Sequence, residues 1–107
     1  MGDLYEITND NFESDVLQAD KPVLLEFGAV WCAPCKLLEP ALMELAGDWG
    51  DDVLVAKVDV DHAPELAQNY QVLSVPTTIL FKGGEPLERI VGFKPKEQIN
   101  EKVSVHF

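Results

Sequence analysis

Cys32 and Cys35 are the two cysteines of this 107-residue sequence, set three apart in the run Trp31-Cys32-Ala33-Pro34-Cys35-Lys36. A spacing of i, i+3 puts both sulfurs on one side of the first turn of a helix. Pro34 suits that turn, where a missing backbone N–H costs nothing. Cys32 then stands at the helix N-terminus, among unpaired N–H groups and the positive end of the helix dipole, which favour thiolate over thiol. Cys35, one turn further in, is expected to be more enclosed and less acidic. This asymmetry suits thiol–disulfide exchange: Cys32 attacks a disulfide, and Cys35 resolves the mixed disulfide.

Other uses of a C-x-x-C pair fit less well. Attachment of a c-type haem requires His directly after the second cysteine, and Lys36 is there. Zinc needs two further ligands, and His62 and His106 are the only histidines, alongside carboxylates. Two unreactive core cysteines are the bland alternative, since free cysteine packs well. A bridge between them closes a very short loop and is a weak structural staple, so pairing would serve chemistry before architecture. Asp59, Asp61 and His62 at a strand end read as caps and solvated charge before they read as a metal site.

The pair needs a strand to deliver it and a helix to receive it, and the sequence supplies both. Val23-Leu24-Leu25-Glu26-Phe27 is an almost unbroken apolar run, the pattern of a strand covered on both faces. Downstream, Leu38, Leu42, Leu45 and Ala46 recur at helical spacing; Pro40 predicts a kink, and Gly47 and Gly50 predict the end. Val53 to Val58 predicts a second buried strand, and strand–helix–strand of this length demands a parallel pair. Before this unit, a short strand over 4–7 leads to a helix that buries Phe12, Val16 and Leu17 and is capped by Thr8, Asn9 or Asp10. After it come a short helix from Asp61 and Pro64, strands over 77–81 and 87–91 joined by a Lys82-Gly83-Gly84-Glu85 hairpin, and a last helix over 95–103. Trp49 reads as helix-end packing and His106 as exposed.

A 47% hydrophobic content is ordinary for a globular chain, and no apolar stretch approaches the roughly 20 residues of a membrane helix. The net charge of −11, from 19 acids against 8 bases, disfavours phosphate backbones and anionic lipid, so neither nucleic acid nor membrane is expected as a partner. The start lacks a signal-peptide pattern, and Glu6 stands where a myristoylation signal has Ser or Thr. These features together read as a complete cytoplasmic protein.

Phe27 through Lys36, reading FGAVWCAPCK, resembles the active-site segment of the thioredoxins. Val75-Pro76-Thr77 resembles that family's cis-proline loop, Val91-Gly92 its last substrate-contacting loop, and Lys57 before Asp59-Val60-Asp61 matches as well. The likeness spans the chain without insertion. It implies an α/β thioredoxin fold over residues 1–107 as one domain, a central mixed sheet of about five strands flanked by about four helices. The implied activity is protein-disulfide reduction by an electron carrier of thioredoxin type. No cofactor is implied beyond the redox-active Cys32–Cys35 disulfide. The implied partners are a separate thioredoxin reductase and disulfide-containing client proteins, and the implied state is a monomer. Trp31, Val60, Val75, Pro76, Val91 and Gly92 correspond to a shallow apolar groove for client polypeptide, with a cis peptide at Val75-Pro76.

Glu26 is the most informative polar residue. An acid inside an apolar strand is penalised by desolvation, which raises its pKa unless an ion pair with Lys57 satisfies both groups. The resemblance gives it the role of the buried carboxylate that takes the proton of Cys35, with Lys57 beside it. Glu stands here where Asp is usual, Ala33 where Gly is usual, and Gly28 where Trp is frequent. Ala33 and Pro34 therefore bear on redox poise, and an aromatic wall beside the sulfurs is expected to be missing, with Phe93 as a partial substitute. Two further readings remain: an interaction subunit with idle sulfurs, and a glutaredoxin-type or oxidising enzyme, which fits less well.

Overall fold

The computed structural model describes residues 4–107; the reading of Met1-Gly2 as free of a targeting or lipidation signal lies outside the described residues. The first strand, β1, runs Tyr5–Ile7. A short helical segment follows at Glu13–Leu17, closed by an i+5 hydrogen bond from Gln18 N–H to Glu13 C=O at 2.9 Å. Its approach is shaped by side chains other than a simple cap. Asn11 Oδ1 accepts from Thr8 N–H at 2.7 Å and Thr8 Oγ1 accepts from Asp10 N–H, while the Asn9 amide reaches across to Glu65.

Strand β2, Val23–Gly28, is buried at all six positions. Helix α1, Ala33–Trp49, follows directly, then strand β3, Leu54–Asp59. Of the two glycines expected from the sequence to end α1, Gly50 does so and Gly47 does not. The helix continues to Trp49, and Gly50, at φ +59°, closes it with an N–H bond to Ala46 C=O. Pro40 lies inside α1 on its solvent side, where the carbonyl it leaves unpaired is free to take water. Helix α2, Pro64–Asn69, strands β4, Thr77–Lys82, and β5, Glu85–Val91, and helix α3, Lys96–Ser104, complete the chain. Ala63, not Asp61, occupies the N-cap of α2, and Asp61 has a different task described below.

The five strands lie in the order β1-β3-β2-β4-β5. β3 runs parallel to both β1 and β2, as the strand–helix–strand unit demands, and β4 is antiparallel to β2 and β5. The sheet is therefore mixed. Alternation along β2 divides its side chains between two cores. Val23, Leu25 and Phe27 join Phe12, Val16, Leu66, Ile79 and Phe81 on one face. Leu24 packs with Leu38, Leu42 and Leu45 of α1 and with Ile99 and Val103 of α3 on the other. Burying one such leucine contributes on the order of 2 kcal/mol, so the α1 seam holds the helix firmly against β2. By the same period of two, Glu26 and Gly28 follow Leu24 on the α1 face. A carboxylate is thereby brought under the helix that carries the cysteines.

At the hairpin, Lys82 pairs with Glu85 across Gly83 and Gly84, which take φ of +61° and +79°. A Cβ on Gly84 would stand 2.9 Å from the Leu17 carbonyl oxygen, whereas one on Gly83 meets nothing. Gly84→Ala is expected to destabilise the protein by about 1–3 kcal/mol, and Gly83→Ala by less, because only the first adds a backbone collision to left-handed strain. Urea unfolding of the two variants checks this; equal losses would contradict the collision.

Candidate active site

Cys32 is the N-cap of α1, with Ala33 and Pro34 in the first turn. Its Sγ accepts a hydrogen bond from the Cys35 N–H at 3.2 Å, so the sulfur meets one of the helix's otherwise unpaired donors. The two cysteines are joined as a disulfide with Cα atoms 5.3 Å apart. Cys35 is fully enclosed and Cys32 retains 3% of its surface. In the dithiol state the same N–H and the dipole of a 17-residue helix would stabilise a thiolate on Cys32.

Glu26 lies below the sulfurs with none of its surface exposed, and neither carboxylate oxygen has a hydrogen-bond partner. Its pKa is pushed up from 4.5 to about 8, first by burial and then by the negative charge of Glu39, against a smaller opposing effect from Lys57. Glu39 acts through charge, since the Glu26 oxygens are unpaired. Lys57 is the neighbour of Glu26 in the β2–β3 register, yet its Nζ is 4.0 Å from Glu39 Oε1. The simple Glu26–Lys57 ion pair weighed from sequence is therefore replaced by a lysine turned to a second acid. Glu26 Oε2 and Cys35 Sγ each lie 3.1 Å from the point where a Cβ on Gly28 would stand. Carboxylate and sulfur are thus within about twice that distance of each other, close enough for transfer through one water. A cavity of about 460 Å³ opens beside them, lined by Glu26, Gly28, Lys36, Glu39, Lys57 and His62 among others.

On another side of the disulfide is a shallow groove of about 330 Å³ that brings together Trp31, Val60 and Val75 with Pro64, Val72 and Leu73. The Val75-Pro76 peptide is cis, and Pro76 is buried at the start of β4. Val91 and Gly92 are not on this groove wall. They join the site through β5, with Val91 paired to Thr77 and the Gly92 N–H donating to Pro76 C=O at 2.8 Å. Trp31 is 67% exposed, yet its Nε1 donates to Asp61 Oδ2 at 2.8 Å, which fixes the ring's edge.

Sequence reasoning missed three neighbours of the site. Asp61 holds Trp31 from 30 residues away, a pairing with no local signal. Glu39 was findable, because i+4 from Cys35 on a helix shares its face. Leu73 is 95% exposed beside the cis-proline loop, an apolar residue in a turn where water should be met by polar ones. Phe93 is half-exposed, and Gly28 borders the cavity where an aromatic wall was expected to be missing. His106, read as exposed, is instead half-buried with Nε2 3.0 Å from Glu88. Trp49 packs at the end of α1, with Nε1 on Asn100 Oδ1 and its ring edge-on to Phe107 at 5.0 Å. Among the described residues no group of three or more His, Cys, Asp and Glu side chains is placed to hold a metal ion, and no helix is long and apolar enough to cross a membrane.

Comparison with known proteins agrees with this geometry. The family model described as Thioredoxin matches residues 3–105. A protein named Thioredoxin from Mycobacterium tuberculosis is 50% identical over 99 residues, covering 92% of this chain and 85% of its own. One of the same name from Alicyclobacillus acidocaldarius is 44% identical over 98 residues, covering 92% of each. A Mycobacterium leprae protein named Bifunctional thioredoxin reductase/thioredoxin is 52% identical over 91 residues, which are 85% of this chain and 20% of that protein.

Proposed function

Because the chain belongs to the thioredoxin family, we propose that it reduces disulfides in client proteins through Cys32 and Cys35 and is returned to the dithiol by a separate thioredoxin reductase. The Cys32–Cys35 disulfide at the head of α1 marks it as a thiol–disulfide oxidoreductase, and this is the observation that carries the reading. The Cys32 thiolate attacks one sulfur of a client disulfide, and that S–S bond breaks as one client thiolate leaves. Cys35 passes its proton towards Glu26 and attacks the Cys32 sulfur, and the second client thiolate leaves. Two electrons have moved from the chain to the client, and the chain is left as the disulfide. The dithiol itself stores the electrons, so the cycle uses no cofactor of its own.

Under this reading Trp31, Val60, Val75, Pro76, Val91 and Gly92 dock an extended segment of client backbone against the sulfurs. Lys57 steadies the charge that Glu26 carries before it takes the proton, and Ala33 and Pro34, as the residues between the sulfurs, set the redox poise. The whole of 1–107 acts as one monomeric domain in the cytoplasm, a compartment that keeps thiols reduced. Support for a reductase partner comes from the Mycobacterium leprae relative, whose name joins the two activities in one polypeptide.

Trapping tests the order of attack. A Cys35→Ser variant mixed with a disulfide-bonded protein is expected to accumulate a covalent adduct through Cys32 that a small dithiol dissolves. Failure of any adduct to form would sink the proposed sequence of steps.

A further inference from the structure

Gly28 ends β2 in ordinary strand conformation: it pairs with Asp59, its carbonyl accepts the Val60 N–H at 2.9 Å, and it is not among the glycines at positive φ. Glycine is therefore not required here by the backbone, and in a strand it leaves no side chain to pack. The demand is for space. A Cβ would stand 3.1 Å from both Cys35 Sγ and Glu26 Oε2, inside the 3.5–4.0 Å of a comfortable contact.

We propose that Gly28 is a positioning residue for proton transfer, its missing Cβ forming the notch in which the Glu26 carboxylate and the Cys35 sulfur face each other. The inference rests on the reading of Glu26 as acceptor of the Cys35 proton, and it explains how a long carboxylate side chain fits under α1. Of the two groups flanking the notch, the sulfur stands one bond from the Cβ of a fully buried residue in the first turn of α1, which leaves it little room to move when Cys35 is a free thiol. The carboxylate is the free end of a side chain without hydrogen bonds. A methyl group at position 28 therefore moves the carboxylate and leaves the sulfur in place, so the fold survives while the transfer geometry is lost. The groups facing Glu26 are Cys35 and Glu39 from α1, Lys57 from β3, and Thr78 of β4, which is opposite it in the ladder and also has an unpartnered hydroxyl.

The test is a double-mutant cycle of Gly28→Ala and Glu26→Asp, since aspartate withdraws the carboxylate from the notch by one methylene. The reduced protein is mixed with the chromogenic disulfide 5,5′-dithiobis(2-nitrobenzoate), and the second thionitrobenzoate released reports attack of Cys35 on the Cys32 mixed disulfide. Gly28→Ala is expected to slow this second phase about tenfold, less than the roughly hundredfold that a full 1 Å misplacement can cost, and to raise the ionisation midpoint at residue 26 followed by carboxyl carbon NMR. In the Glu26→Asp background the same substitution is expected to change the rate by less than about twofold. Equal slowing in both backgrounds, or none in either, overturns the proposal. If Gly28→Ala fails to fold, recovery of the fold in the double variant supports it, and failure of both overturns it. Glu26→Gln separates the two ideas. An unchanged pH profile of the second phase in that variant removes the acceptor role itself, whereas a changed profile with an additive cycle removes only the role of Gly28.

Discussion

Cys32→Ser is expected to lower the rate of disulfide reduction by at least about a thousandfold, to the level of the chemical reductant alone. A thiol near neutral pH already supplies a few per cent of thiolate, whereas a serine hydroxyl supplies almost none, and sulfur is intrinsically the better nucleophile towards sulfur. The loss is enlarged because the site is built around an anion at this point. The Cys35 N–H reaches Cys32 Sγ at 3.2 Å, and α1 directs its N-terminus at the same atom. The fold itself should persist, since Cys32 belongs to the helix cap and serine caps helices well. Turnover of a disulfide-bonded protein with a dithiol as electron source measures the effect. Residual activity within tenfold of the parent would mean that Cys35 or another group initiates the attack.

Glu26→Gln is expected to remove a pH dependence of stability from the oxidised protein. Burial and Glu39 raise the folded-state pKa from 4.5 to about 8. Below about 4.5 the group is protonated in both states and stability is unaffected. As pH rises towards 8 the unfolded chain releases the proton while the folded chain keeps it, so the parent loses stability across this window and reaches a constant deficit above it. Converted at 1.36 kcal/mol per unit, the deficit is roughly 4–5 kcal/mol at most. Glutamine carries no proton to lose, and its unpaired amide costs the same at every pH. The variant's advantage over the parent should therefore grow between pH 4.5 and 8 and then level off, as read from urea unfolding at pH 4, 6, 8 and 9. Parallel stability curves would show that the carboxyl titrates normally. A stability cost at this position fits the proposed role of Glu26 as acceptor of the Cys35 proton.

Legibility followed the range of the interactions. Cys32, Pro34 and Cys35 act on one another within a single helical turn, so spacing alone placed the sulfurs at the head of α1. The apolar run of β2 declared a strand covered on both faces, and Glu26 stood out in it as an acid whose burial called for either an ion pair with Lys57 or a raised pKa. The βαβ unit and the hairpin at Gly83-Gly84 were equally open to reading, since right-handed crossovers and turn chemistry are local rules. Of the two glycines expected to end α1, Gly47 lies in open space and tolerates helix, whereas Gly50 takes a positive φ and the closing bond.

The sequence by itself determined the reacting atoms, their order along a strand and helix, and the presence of one buried acid near them. These follow from short-range sterics and hydrogen bonding, which depend on residue type and spacing. Tertiary structure alone decided which acid Lys57 would face, that Asp61 would hold Trp31, and that a Cβ at Gly28 would crowd both Glu26 and Cys35. Each of those outcomes turns on ångström differences between elements, set when α1 packs its leucines on β2 and when β3 is laid beside it. A carboxylate of given length under a helix of given height has one place to go, and no pattern in the chain records that height.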